Sequence, residues 1–141
     1  MIVDANLLLY AVDSTSPHHA ATARWFTDSL NGRSRVGLPW QSLGAFVRIA
    51  THPRISENPL TGDAAWAIVE SWLAAPTTWI PPATERTADA YAQLSAQVDI
   101  TGNLVTDAQL AALALEHGVP VYSADSDFAR FRDITWINPL D

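Results

Sequence analysis

Apolar pairs and stripes at i, i+3 and i+4 alternate along the chain, and their spacing predicts strands and helices in turn. Ile2-Val3 reads as a short buried strand ending at Asp4, followed by Ala5-Asn6 and an apolar turn, Leu7-Leu8-Leu9-Tyr10. Ser16-Pro17 supplies an N-cap and a proline at the first helical position, so a helix is predicted through Ala21, Trp25 and Phe26 to Leu30, with Gly32 as its stop. Arg35 to Leu38 predicts a second strand. Pro39-Trp40 opens a helix bearing Leu43, Phe46, Val47 and Ala50 on one face and ended by His52-Pro53. Thr61 caps a third helix, which carries Ala65, Ile68, Val69 and Trp72 and closes at Pro76; Thr78-Trp79-Ile80 is a strand cut by Pro81-Pro82. A further helix from Glu85 to Val98 stacks Ala88, Tyr91, Leu94 and Val98 before Thr101-Gly102-Asn103 breaks it. Thr106 and Gln109 predict a capping box for the next helix, with Gly118 and Pro120 beyond its end. Val119 to Ser123 is the best strand, and a helical turn near Phe128 to Phe131 and a strand at Ile134 to Ile137 complete the chain.

Strands that alternate with helices imply right-handed crossovers, a mostly parallel sheet and helices on both faces, the α/β class. No repeat, linker or low-complexity run divides residues 1–141, so one domain is expected. At 141 residues and 48% hydrophobic content, such a domain buries roughly 68–70% of its unfolded surface.

Composition then removes whole chemistries. The chain has no cysteine, which excludes disulfides, thiolate zinc sites and a cysteine nucleophile and suits a reducing cytoplasm. Ile2 enters a strand with no basic run or signal-like apolar core before it, and the longest apolar runs, Leu7 to Val12 and Leu110 to Leu115, are too short to span a bilayer. A soluble cytoplasmic protein is expected. All eight basic residues are arginine. The absence of lysine argues against a P-loop and against Schiff-base catalysis. A formal charge of −7 opposes non-specific adhesion to nucleic acid, so a function on nucleic acid requires local arginines or bound metal ions.

Four acids, Asp4, Asp107, Asp125 and Asp127, fall at predicted element ends. A fold that gathers those ends builds a negative pocket, and carboxylates are hard oxygen ligands suited to Mg²⁺. Two ions about 3.5–4 Å apart would bridge a phosphate, activate water and stabilise the leaving oxygen, which makes phosphodiester hydrolysis the reaction class. Singly, each acid has a plainer role. Asp107 in a first helical turn favours the dipole by about 0.3–1 kcal/mol, and Asp125 and Asp127 suit the turn into Phe128. Asp4, directly after an apolar strand, needs a donor or cation, and Asn6 is its nearest polar neighbour in sequence. As a set they point to a metal site. The four histidines show no metal-ligand spacing and are given no catalytic role. The six tryptophans are read as core or oligomer interface, because Trp25, Trp66 and Trp72 fall in amphipathic helices.

Ile-Val-Asp-Ala-Asn at 2 to 6, Ser16-Pro17-His18, Leu38-Pro39-Trp40 with Phe46-Val47-Arg48, and Thr51-His52-Pro53-Arg54 form an ordered series. It continues with Gly102-Asn103-Leu104-Val105-Thr106-Asp107-Ala108, Glu116-His117-Gly118 and Ser123-Ala124-Asp125-Ser126-Asp127-Phe128. In order and spacing these motifs resemble the PIN-domain toxins of the VapC family across nearly the whole chain. The resemblance implies a three-layer α/β/α domain with about five mostly parallel strands. It implies a Mg²⁺- or Mn²⁺-dependent endoribonuclease that cuts structured RNA such as tRNA or rRNA, partnered by a VapB-like antitoxin and homodimeric. Asp4, Asp107 and Asp125 then become metal ligands, Asp127 an accessory catalytic acid, and Asn6 and Ser123 supporting polar groups.

One position departs. These toxins carry a glutamate immediately before the phenylalanine of the Trp40 to Arg48 segment, where this chain has Ala45. Loss of that carboxylate is expected to weaken metal binding and impair cleavage. Three accounts stay open: compensation by Asp127, a naturally inactive member, or a substitution introduced so that a toxic chain can be produced. Glu57, the nearest downstream acid, falls outside the helix register and is not promoted. Two functional alternatives stand beside the nuclease. One is a catalytically inactive module of the same fold that binds the antitoxin. The other is a phosphatase- or receiver-like α/β protein using Asp4, which the missing lysine counts against. Arg48 and Arg54 are candidate RNA contacts, with Arg130 and Arg132 beside them; solvated surface ion pairs are the plain alternative for each.

Overall fold

The computed structural model describes residues 1–141. Its elements are β1 (Ile2–Val3), α1 (Ala5–Val12), α2 (His19–Leu30), β2 (Val36–Gly37), α3 (Trp40–Ala50), α4 (Gly62–Leu73), β3 (Thr78–Trp79), α5 (Glu85–Ser95), α6 (Leu104–His117), β4 (Val121–Tyr122), a 3-10 helix (Ser126–Arg130) and β5 (Trp136–Ile137). All strand pairs are parallel, in the order β3-β2-β1-β4-β5.

Successive side chains on a strand face opposite ways, and β1 uses this to join two cores. Ile2 packs with Ala90, Leu94, Leu104, Ala108 and Phe128 under α5 and α6. Val3 packs with Leu7, Phe26, Leu43, Phe46 and Trp72 under the first four helices. The result is the expected α/β/α layering around five strands.

Capping explains several helix limits. The Thr61 hydroxyl accepts the Ala64 N–H at 3.1 Å and starts α4, and Gly118, at φ 65°, ends α6 in the left-handed region. Several expectations fail. Ser16-Pro17 does not open α2, which begins at His19 with no side-chain cap, and the Ser16 hydroxyl instead accepts the His18 N–H at 3.1 Å in the turn before it. Residues 5–12 form a helix, not a turn, because Asp4 caps it and Leu7 and Leu8 are buried below it. The predicted capping box at Thr106 is absent: α6 begins at Leu104, and the Thr106 hydroxyl donates back to the Asn103 carbonyl at 3.1 Å. A capping box occurs instead at Thr84 and Thr87, whose hydroxyls both donate to Glu116 and tie α5 to α6.

Gly37 admits close approach of β1. A Cβ there would stand 2.7 Å from the Met1 carbonyl oxygen and 3.0 Å from Pro81 Cγ. Gly37→Ala is therefore expected to cost about 1–3 kcal/mol in denaturant unfolding, through overpacking of backbone that has no room to give.

Candidate metal centre

The strand order reverses between β1 and β4, and an open parallel sheet offers its crevice beyond the carboxyl ends at such a point. Asp4 leaves β1 there, and Ser123 leaves β4. The Ser123 hydroxyl donates to Asp4 Oδ2 at 2.7 Å, and the Asn6 amide donates to the same oxygen at 3.1 Å and to Ser123 Oγ at 3.0 Å. Asp4 Oδ1 accepts the Ala5 N–H at 2.7 Å. Asn6 also accepts the Ala124 N–H at 3.3 Å, so one amide bridges the two strand ends. Asn6 and Ser123 thus both hold the Asp4 carboxylate by hydrogen bonds.

The loop after β4 is shaped by the same groups. Asp125 N–H donates to Ser123 Oγ at 3.0 Å, and Asp127 N–H donates to Asp125 Oδ1 at 2.9 Å, which caps the 3-10 helix. Phe128, fully buried, pins the turn to the core. Asp107 projects from the first turn of α6 toward this loop, and carboxylate oxygens of Asp107, Asp125 and Asp127 lie within 4.8 Å of one another. The triad differs from the ligand set expected from sequence, which counted Asp4 with Asp107 and Asp125. Asp4 stands beside it, close enough for its charge to be felt at Asp107.

Burial is the main reason the Asp4 carboxyl titrates above its ordinary range; hydrogen bonds from Ser123 and Ala5 pull it back, and the Asp125 charge pushes it further up. Asp107 is pushed up to about 6 by burial first, then by Asp125, Asp4 and Asp127. No cation in the protein relieves this crowding. The only ion pair in the chain is His117 with Glu116 at 3.8 Å, so no arginine neutralises any of the four acids. Clustered carboxylates without a counter-charge, offering hard oxygens, fit a divalent cation held by several of them with water completing its shell.

Other candidates fall outside the cluster. Ala45 lies half-buried on α3, which packs on α1, the helix Asp4 caps. Arg48 and Arg54 are exposed and unpaired, which removes the surface ion-pair account of them. None of the four histidines belongs to the cluster; His19 Nδ1 meets the Tyr10 carbonyl at 2.9 Å and His117 Nε2 the Pro82 carbonyl at 3.1 Å. Two cavities, of about 360 and 550 Å³, contain none of the four acids. Tryptophan divides: Trp72 is core, whereas Trp40 and Trp66 are 62% and 40% exposed and meet edge-on at 6.1 Å.

Comparison with known proteins identifies the family and the fold. The PIN domain family matches residues 1–134. The chain is 48% identical over 138 residues to Ribonuclease VapC37 of Mycobacterium tuberculosis, covering 98% of this chain and 96% of that protein. It is 40% identical over 140 residues to Ribonuclease VapC33 of the same species, covering 99% and 98%. Among solved structures, VapBC2 from Rickettsia felis bound to a DNA fragment from its promoter has a TM-score of 0.71 at 13% identity, over 97% of this chain and 96% of that one. VapC20 of Mycobacterium tuberculosis, a toxin cleaving the sarcin-ricin loop, has a TM-score of 0.64 at 18% identity, over 95% and 98%. At these last identities the likeness is one of fold.

Proposed function

We infer, from the fact that the chain belongs to the VapC family of PIN-domain ribonuclease toxins, that it hydrolyses phosphodiester bonds of structured RNA, tRNA or rRNA, with Mg²⁺ or Mn²⁺ held in the crevice between β1 and β4. The observation that carries the reading is a cluster of carboxylates that no protein cation neutralises. A divalent cation bound there supplies Lewis-acid stabilisation of phosphoryl charge and an acidified water. Asp107 and Asp125 would hold it, and Asp4 would form the inner wall of the site. Asn6 and Ser123 keep the Asp4 carboxylate from swinging out of the crevice. Asp107 must release its proton before it ligates, so cation affinity rises with pH across its titration near 6.

Substrate and partners follow by the same reasoning. Arg48 and Arg54, exposed and unpaired, serve as phosphate contacts in a chain whose net charge of −7 opposes adhesion to nucleic acid. A VapB-like antitoxin is the cognate partner, as solved neighbours are VapBC complexes. The exposed Trp40, Trp66 and Ile80 supply apolar surface for a homodimer. No helix is long and apolar enough to cross a membrane, and the proposed site of action is the cytoplasm, where the RNA is. The family match leaves the phosphatase- or receiver-like alternative without support. A silent, antitoxin-binding member rests on Ala45 alone.

Ala45 provides the test. Ala45→Glu adds a carboxylate to the half-buried face of α3 and is expected to raise Mn²⁺-dependent cleavage of total RNA about tenfold, read as initial rates. If that variant stays silent on all RNA and binds no metal, the nuclease reading is wrong.

A further inference from the structure

We propose that Arg130 is a substrate-binding residue whose guanidinium grips the RNA phosphate next to the one being cut; the proposal rests on the ribonuclease reading above. A 3-10 helix repeats every three residues, so side chains at i and i+3 stand over one another. The helix at Ser126–Arg130 keeps that period: Phe128 and, at its C-cap, Phe131 are both buried, with ring centroids 6.3 Å apart. Asp127 and Arg130 are another pair in the same register, and both are exposed. Asp127 stands with Asp107 and Asp125, so the register carries Arg130 on that side of the helix, one turn or about 6 Å farther along the axis.

No acid of the protein engages this arginine. In a chain with 15 acids Arg130 forms no ion pair, not even with Asp127 one turn back. No arginine is among the causes that set the titration of Asp107, so Arg130 stands beside the cluster without neutralising it. Its backbone, in contrast, is fixed. Buried Phe128 and Phe131 flank it, and the Phe131 N–H donates to the Phe128 carbonyl at 3.2 Å. A free guanidinium on an anchored turn suits a planar, bidentate grip on phosphate oxygens. The carboxylates beside it repel the phosphates that flank the cut, and a cation one turn away offsets that repulsion. Arg132 lies beyond Phe131 and out of this register.

The test is filter binding of end-labelled total RNA to the full-length chain carrying Asp125→Asn, the change expected to silence cleavage, over a salt series with Mn²⁺ present. Adding Arg130→Ala is expected to weaken binding about tenfold and to flatten the slope of log affinity against log salt by about 0.7–0.9, the signature of one lost phosphate contact. Arg130→Lys, which keeps the charge, is expected to keep the slope and to recover part of the affinity. Arg33→Ala is the matched control, because it removes an exposed arginine ahead of β2, at the edge of the sheet opposite the cluster; it is expected to leave the slope unchanged. In the chain that retains Asp125, Arg130→Ala should raise KM for RNA cleavage about tenfold with little change in kcat. An unchanged slope for Arg130→Ala, an equal loss for Arg33→Ala, or a fall in kcat at unchanged KM overturns the proposal. If the Asp125→Asn chain with Arg130 intact binds no RNA at the lowest salt, the ribonuclease reading falls as well; if it binds and Arg130→Ala changes nothing, only the role of Arg130 falls.

Discussion

Asp107→Asn is expected to cut RNA cleavage by at least about 100-fold while raising the thermal midpoint of the metal-free protein. The two effects share one cause. The Asp107 carboxylate is crowded by burial and by three neighbouring acids, and it accepts no hydrogen bond that an amide would forfeit. As a charge it destabilises the empty fold, and as a ligand it holds the cation. Its folded pKa, about 6, lies above its ordinary 3.8, so the stabilising contribution of its protonated form is complete at pH values below 3.8 and is lost as pH rises through 6. The difference in thermal midpoint between Asp107→Asn and wild type should therefore widen from pH 5 to pH 7.5 without metal. Saturating Mn²⁺ should shrink or reverse it, because ligand binding stabilises the wild type by mass action. Equal pH profiles for the two proteins would show that Asp107 is not crowded as described.

Asp4→Asn should also abolish cleavage, by a similar factor, but with the opposite sign on stability. Its oxygens receive donors from Ala5, Asn6 and Ser123, and an amide in either orientation sets an N–H group against at least one of them. A buried donor facing a donor costs about 1–3 kcal/mol. Chemical denaturation of the metal-free variant reads this loss directly. Paired with Asp107→Asn, it removes the same charge from the same pocket and separates a carboxylate built into the backbone from one that waits for a ligand. A stabilised Asp4→Asn would mean that electrostatic repulsion outweighs the hydrogen bonds.

Much of this was legible in residues. Thr61, Gly118 and the apolar stripe of Leu43, Phe46 and Ala50 mark helix limits and faces because capping and periodicity are local physics. The four acids stood out because each follows a strand or opens a helical turn, and the resemblance ordered them into one site. Helix α1 was missed because Leu7-Leu8-Leu9-Tyr10 is a continuous apolar run, without the polar positions that betray a helical period. The start of α6 was misplaced because the Thr106 hydroxyl bonds backward to a carbonyl instead of capping the amide ahead. Partnership between Ser123 and Asp4, residues 119 apart in sequence, depends on β1 lying next to β4, which no local pattern announces. The nearness of Asp127 to Asp107 and Asp125 likewise depends on the turn that Asp125 caps and Phe128 anchors.

Cleavage of total RNA by the purified chain, with Mn²⁺ and with a chelator in excess, tests the central claim most directly. The account predicts discrete fragments with Mn²⁺ and none with the chelator, and none under either condition for Asp125→Asn. Cleavage that persists in chelator, or that survives in Asp125→Asn, would contradict a metal-dependent site at the crevice between β1 and β4.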